Sequence, residues 1–260
     1  MLGRYHVGLS LGTILPFLIP LFFLSNSNAI QYGIVFLIAI IIGSLTPDAD
    51  CGGKSKLYYD FEIVYILMQP IQKITELIFK SSHLKDKVNL EYEVKKEHRG
   101  IMHAPIGILI STILLLLILS TFLVIFKLFN PIFLLILFFG LLIGQFLHLL
   151  EDSCTISGIN WKFPFGTKIM NGEIYTWDKK DLRCKNFQII LIITIILLIL
   201  GYSFNKISTN FWVIYPLIFI IIVFLWFIFM GVVKVKVFNS LINKEEKRIV
   251  NQVDNVVRLN

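Results

Sequence analysis

Charged residues are scarce in this chain: Asp, Glu, Lys and Arg make up 16 % of its 260 residues, whereas 56 % are hydrophobic. Five long stretches contain no charged residue, namely residues 7–47, 104–126, 128–150, 186–205 and 207–233. A soluble domain of this length cannot bury so much apolar surface, which excludes a soluble enzyme. The sequence therefore predicts an integral membrane protein.

Several reactive motifs are also missing. The three cysteines, Cys51, Cys154 and Cys184, form no Cys-x-x-Cys pair, and no serine lies on a glycine elbow, so redox and acyl-enzyme chemistry have no support. Residues 53–55 resemble the end of a phosphate-binding loop, but Asp48 occupies its first glycine position and no strand precedes it. Histidines and carboxylates remain as the groups that can carry chemistry.

Six membrane spans account for the apolar stretches. A bilayer core needs roughly 20 apolar residues per helix, so the first stretch must contain two spans, separated by the polar residues 25–28. Each span is predicted helical, because lipid offers the backbone no other hydrogen-bond partner. The predicted fold is an all-α, polytopic helical bundle with spans at residues 5–24, 30–47, 104–126, 131–151, 187–204 and 211–233.

Residues 57–80 are more polar than the spans. Their apolar residues recur at helical spacing, but charged and amide side chains interrupt them. This mixture favours an interfacial helix, broken near Pro70, over a seventh span.

The positive charges predict the orientation. With the loops assigned alternately to the two sides, all but two of the 24 Lys and Arg fall on the side of both termini; the exceptions are Lys127 and Lys206. The positive-inside rule makes that side cytoplasmic, in a plasma or inner membrane, with both termini in the cytoplasm. The net charge of +7 then needs no nucleic acid to explain it, and the basic face is expected to attract anionic lipids.

Ionisable side chains gather at the cytoplasmic ends of four spans. Such groups beside hydrocarbon are costly and tend to be functional. They are His6 at the start of the first span, Asp48 and Asp50 at the end of the second, His98 and His103 before the third, and His148, Glu151 and Asp152 at the end of the fourth. We expect these residues to converge on one pocket.

His148 and Asp152 are four residues apart, so on a continuous helix both can reach one metal ion. The mixture of nitrogen and oxygen donors suits zinc, manganese or iron better than calcium. The ordinary alternative is that the histidines anchor span ends and the aspartates end a helix.

Two glycines continue the face of His148. Gly140 and Gly144 would let a neighbouring helix approach closely. The first span, whose Gly8 and Gly12 have the same spacing, is one candidate for that neighbour.

Several separate motifs resemble the YdjM family of membrane-bound proteins, a family taken to be metal-dependent hydrolases. The matching residues are His6, the segment 43–50, the segment 98–103, His148, Asp152, Thr155, Gly158 and Pro164. Cys51 and Ala104 depart from the pattern, in which histidine and serine are more usual. The resemblance covers residues 1–165 and leaves residues 166–260 as a C-terminal helical hairpin and cytoplasmic tail.

The family is also distantly similar to zinc-dependent phospholipase C. That resemblance implies that Asp48 or Asp50, with His103, His148 and Asp152, holds one divalent ion, and that His6 helps to hold a second. Zinc is the favoured metal, with manganese and iron as alternatives.

The leading hypothesis is a metal-dependent hydrolase that cleaves a phosphoester in a lipid or lipid-linked substrate at the cytoplasmic face. A carboxylate that binds no metal, from Asp48, Asp50 or Glu151, would accept a proton from water, and Arg99, with Arg4 as a further candidate, would hold the phosphate. The alternatives are a transporter or channel for a metal or small ion, and a non-enzymatic scaffold with a structural metal site.

Overall fold

The computed structural model describes residues 3–23, 27–51, 62–81, 101–163, 166, 168–175, 178, 180–204, 207 and 210–239. Its six long apolar helices confirm the predicted spans and the all-α membrane bundle. They are α1 (Gly3–Phe23), α2 (Ser27–Leu45), α4 (Pro105–Ile125), α5 (Pro131–Ser153), α6 (Arg183–Ser203) and α7 (Phe211–Val232).

Shorter elements lie between the spans. Two are 3₁₀ helices, η1 (Thr46–Cys51) after α2 and η2 (Ile101–His103) before α4, and one is the helix α3 (Glu62–Ser81). A two-stranded antiparallel sheet pairs β1 (Lys168–Asn171) with β2 (Lys236–Asn239), with Lys168 opposite Asn239. The sheet ties the chain that leaves α7 to the loop that follows α5.

The helix α3 is continuous, so the predicted break near Pro70 is wrong. Pro70 lies inside the helix on an exposed position. The opposite side of α3 is buried through Met68 and Ile71, which are 1 % exposed and belong to an apolar cluster with residues of η1, η2 and α4. This packing holds the helix together although proline removes one backbone donor.

The glycine face of α5 packs against α2. A Cβ atom on Gly144 would lie 2.5 Å from the Ile40 carbonyl oxygen, and one on Gly140 would lie 2.5 Å from Ala39 Cβ. The close approach predicted for these glycines is therefore present, but the suggested partner, α1, is wrong.

Gly8 and Gly12 of α1 instead face α6. Side chains placed on them would meet Gln188 and Leu191. α7 also packs on α1, because Trp226 Nε1 donates to Thr13 Oγ1 at 3.0 Å. α1 thus lies between the α2–α5 pair and the C-terminal hairpin.

Candidate metal centre

The local sequence explains the two turns that carry loop ligands. At the end of α2, Ser44 Oγ donates to the Ile41 carbonyl and Thr46 Oγ1 donates to the Gly43 carbonyl. Residue 47 is proline and has no N–H to donate to the Gly43 carbonyl, so the Thr46 hydroxyl satisfies that carbonyl, α2 ends, and the chain enters η1, which carries Asp48. Pro105 starts α4 and holds Ala104 in an extended conformation, which places His103 in the turn before the helix.

Five side chains from four elements meet at one end of the bundle. His6 comes from α1, Asp48 from η1, His103 from η2, and His148 and Asp152 from α5. All five are buried; Asp48, at 6 %, is the most exposed. They form two overlapping groups, His6–Asp48–His148 and His103–His148–Asp152, whose ligand atoms lie within 4.8 Å of one another.

Four of these residues place donor atoms around one point. His103 Nε2 and His148 Nε2 are 3.3 Å apart. Asp48 Oδ1 lies 3.6 Å from both nitrogens, and Asp152 Oδ2 lies 3.6 Å from His103 Nε2 and 3.8 Å from His148 Nε2. Each of the two carboxylate oxygens thus forms a triangle of donors with the same pair of imidazole nitrogens. Two ligand atoms of one zinc ion, with bonds of about 2.0–2.2 Å at tetrahedral angles, lie about 3.3–3.6 Å apart, which is close to these sides.

The tautomer of His148 leaves a lone pair facing that point. Its Nδ1 lies 2.7 Å from the Ser44 carbonyl oxygen, which can only accept, so Nδ1 carries the proton. Nε2 then offers its lone pair towards His103 Nε2 and the two aspartates. A metal-binding histidine is commonly oriented by a backbone carbonyl in this way.

His6 lies beside this four-atom shell. Its ring stacks on that of His148, with centroids 3.8 Å apart. His6 Nε2 lies 3.7 Å from Asp152 Oδ1, is buried, and has no hydrogen-bond partner in the part of the chain that the structure describes. It is therefore available as a fifth metal donor.

Glu151 supports His6 from behind. Its Oε2 accepts from His6 Nδ1 at 2.5 Å, and its Oε1 accepts from Ser10 Oγ at 3.0 Å. Glu151 was one of the predicted candidates for a free catalytic base, but both of its oxygens already have donors. The supporting role of Ser10 was missed, although Ser10 lies four residues after His6 and so on the same helical face.

The buried charges of the centre are unbalanced. Among the described residues, the buried charged side chains are Asp48, Glu151 and Asp152, with no buried Lys or Arg. Carboxylates removed from water are costly unless a cation or hydrogen bonds compensate them. A divalent ion between Asp48 and Asp152 would supply that compensation.

Other predicted site residues cannot be placed at the centre. His98, Arg99 and the side chain of Asp50 lie outside the described residues, although the backbone of Asp50 belongs to η1. Arg4 is exposed, and its guanidinium lies over the Tyr5 ring. Burial raises the pKa of the Cys154 thiol, whose Sγ lies 3.6 Å from the Leu150 carbonyl oxygen, so this cysteine is a neutral donor to the backbone.

The fold and this cluster define a multi-pass membrane protein with buried His and Asp side chains that can hold a metal ion. The family model described as YdjM inner membrane protein matches residues 1–235, and the chain belongs to this family. The match includes α6 and α7 as well as the first four spans. No curated protein and no solved structure matches significantly.

Proposed function

We propose that this protein is a membrane-embedded, metal-dependent hydrolase that cleaves a phosphoester in a lipid or lipid-linked substrate at the cytoplasmic face. The observation that carries the proposal is the shell of two imidazole nitrogens and two carboxylate oxygens, buried and 3.3–3.8 Å apart along the five distances given above. Zinc fits this donor set and its size, and manganese and iron accept the same donors.

A bound divalent ion supplies Lewis acidity, which makes water a nucleophile near neutral pH and neutralises charge on phosphate oxygens. The residues of the chain hold and orient this chemistry. Asp48, His103, His148 and Asp152 would hold the first ion, and His6 Nε2 and Asp152 Oδ1 would provide the first ligands of a second position. Asp50 would accept the proton from water, since Asp48 is assigned to the ion and Glu151 is occupied with His6 and Ser10. Arg99 binds the phosphate.

The location of the cluster supports an amphiphilic substrate. Its ligands belong to the ends of α2 and α5 and the beginnings of α1 and α4, all four of which are candidate spans. The phosphate of a membrane lipid lies at the ends of membrane spans, whereas its chains lie beside them. A phosphoester at that depth is the substrate class that reaches the cluster without leaving the membrane.

A structural metal site is the second candidate, and one observation favours it. Four protein donors around one point can complete a tetrahedral shell, which leaves no position for water. His6 favours catalysis instead, because a second ion held by His6 and Asp152 would have fewer protein ligands and open positions.

Metal content and hydrolysis, measured on the same samples, test the proposal. The protein is purified in detergent as wild type, His148→Ala, Asp152→Ala and the control Glu62→Gln, which changes an exposed carboxylate on α3. Bound metal is measured by mass spectrometry, and phosphate-ester cleavage with bis(p-nitrophenyl) phosphate and with phospholipid. We expect one or two equivalents of metal and hydrolysis in wild type and control, and loss of both in the two cluster variants.

Each other result has a defined meaning. Unchanged metal content in both cluster variants would overturn the metal centre. Bound metal without hydrolysis of either substrate would favour the structural site, and metal-dependent ion flux in vesicles would favour a transporter.

A further inference from the structure

The side chains of α3 fall into three sectors around its axis. At 100° per residue, the buried side chains occupy one arc, through Met68, Ile71 and Thr75. A second arc, roughly 120° wide on this wheel, contains exposed apolar side chains, and its members are Ile66, Leu67, Ile74, Leu77 and Ile78. The third arc is polar and contains Glu62, Gln69, Gln72, Lys73 and Glu76.

Two of the three sectors have evident environments. The buried sector lies against protein, in the apolar cluster that contains Ala49 next to Asp48, and Ile101 and Met102 next to His103. The polar sector suits water, since Lys73 is exposed and Gln72 Nε2 donates to Glu76 within the helix. A helix in contact only with protein and water would not be expected to expose a third sector of apolar side chains.

The buried sector of α3 packs in one cluster with α4, a candidate membrane span whose outer side is apolar. The same apolar cluster includes Leu115 and other residues of α4, a candidate span whose outer side exposes Leu109, Ile113 and Leu117. An apolar face on a helix at the end of such a span continues the hydrocarbon-facing surface. Side chains as exposed as Leu77, at 67 %, are costly in water and favourable at the boundary between headgroups and acyl chains.

We propose that α3 docks on the bilayer leaflet at the metal end of the bundle, with its exposed apolar sector among the acyl chains and its polar sector in water. Its buried sector packs next to the turns that carry Asp48 and His103, and Gln69 Nε2 donates to the Ala49 carbonyl at 3.2 Å. α3 therefore forms the lipid-side wall of the centre. On the basis of the proposed function, α3 also admits the phosphoester of a lipid from the leaflet to the metal centre.

Spin labels test the docking independently of any enzymatic activity. Leu67→Cys and Lys73→Cys, which lie roughly 120° apart around the helix, are each labelled with a nitroxide in a Cys51→Ser background in lipid nanodiscs; the native Cys154 and Cys184 are buried. We expect the label at residue 67 to collide more with oxygen than with a water-soluble nickel complex, and the label at residue 73 to show the reverse. Equal exposure of both labels to the nickel complex would overturn the docking.

Charge substitutions test the delivery of substrate. In nanodiscs, the double variant Leu67→Glu/Leu77→Glu is expected to lower phospholipid hydrolysis at least about tenfold, because glutamate side chains are costly in hydrocarbon. Cleavage of bis(p-nitrophenyl) phosphate should stay unchanged, since the metal ligands are intact, and the control Lys73→Glu should leave both activities unchanged.

The two proposals fail in different ways. If the double variant cleaves phospholipid as fast as wild type, α3 does not deliver substrate. If wild type cleaves neither substrate, the proposed hydrolase fails, and the spin labels still decide whether α3 docks on lipid.

Discussion

The two carboxylate oxygens of Asp152 face different histidines. Oδ2 lies 3.6 Å from His103 Nε2 and 3.8 Å from His148 Nε2, whereas Oδ1 lies 3.7 Å from His6 Nε2. A carboxylate with donors on both sides can bridge two ions, as in two-metal hydrolases. In the proposed centre, binding of a second ion would therefore depend on His6, whose ring is held by Glu151.

Glu151→Gln is expected to weaken metal binding about 10- to 100-fold, the usual cost of losing a partner that orients a ligating histidine. The amide lacks the negative charge that accepts from His6 Nδ1 at 2.5 Å, so His6 Nε2 is less firmly directed at Asp152 Oδ1. Competition with a chromophoric chelator measures the dissociation constant.

Ser10→Ala provides a graded comparison for the same carboxylate. It removes the hydroxyl that donates to Glu151 Oε1 but leaves the contact between Glu151 Oε2 and His6 Nδ1 in place, so its effect on metal affinity should be smaller. The exposed Glu62→Gln should have none. An unchanged affinity in Glu151→Gln would show that His6 is not positioned by Glu151 for metal binding.

At the scale of elements, the contact between α2 and α5 positions His148. Gly144→Ala is expected to destabilise the protein by about 1–3 kcal/mol, because the new methyl group would lie 2.5 Å from the Ile40 carbonyl oxygen and 2.9 Å from the Ser44 nitrogen. The same shift would move the Ser44 carbonyl that orients His148, so metal affinity should fall as well.

Gly231→Ala is the matched control for that substitution. Gly231 also lies in an apolar helix, but a Cβ there meets nothing within 4 Å. Thermal unfolding in detergent should give a lower Tm for Gly144→Ala and an unchanged or slightly higher Tm for Gly231→Ala. Equal Tm values for the two variants would show that the α2–α5 contact tolerates an extra carbon.

The sequence predicted where helices cross the membrane better than which helices touch. Long uncharged stretches indicate segments that cross the membrane, and they predict the six spans. A glycine pair indicates only that some helix comes close, so α1 was suggested as one candidate partner of Gly140 and Gly144, whereas the structure shows α2 there. The break predicted at Pro70 failed for a related reason, because tertiary packing on η1, η2 and α4 outweighs a local helix-breaking tendency.

At the scale of the whole molecule, the sequence motifs pointed to residues 1–165, whereas the family match extends to residue 235. α6 and α7 provide none of the five clustered residues, so they offered no chemical signal. Their contribution is packing: Gln188 and Leu191 of α6 face the glycines of α1, and Trp226 of α7 bonds to Thr13. Ordinary apolar side chains make such contacts, and their pattern along the sequence does not identify a partner helix.

The meeting of the clustered residues at one end of the bundle was predictable for a different reason. Every span end carries its residues to one of two membrane surfaces, so ionisable groups on the same side must share a depth. The lateral arrangement was not predictable, since it depends on the two 3₁₀ turns that bring Asp48 and His103 inward. Ser10 and the Ser44 carbonyl were missed because an uncharged hydroxyl and a backbone atom have no distinctive signal in a sequence.

Removal of a metal ion from the proposed centre is expected to lower the stability of the whole bundle. Its five donors come from α1, η1, η2 and α5, so an ion bound among them joins elements more than 140 residues apart, as the His6–Glu151 pair already does. An ion that binds only the folded state at a hundredfold excess over its dissociation constant stabilises it by about 2.7 kcal/mol.

EDTA should therefore lower the Tm of the wild-type protein, and excess Zn²⁺ should restore it. In His148→Ala the Tm should be insensitive to both additions, because the variant lacks a donor that belongs to both candidate ligand groups. A wild-type Tm that does not respond to EDTA or Zn²⁺ would mean that the buried carboxylates are compensated by protons instead of a metal ion, and the centre would then have to be explained as a hydrogen-bonded cluster.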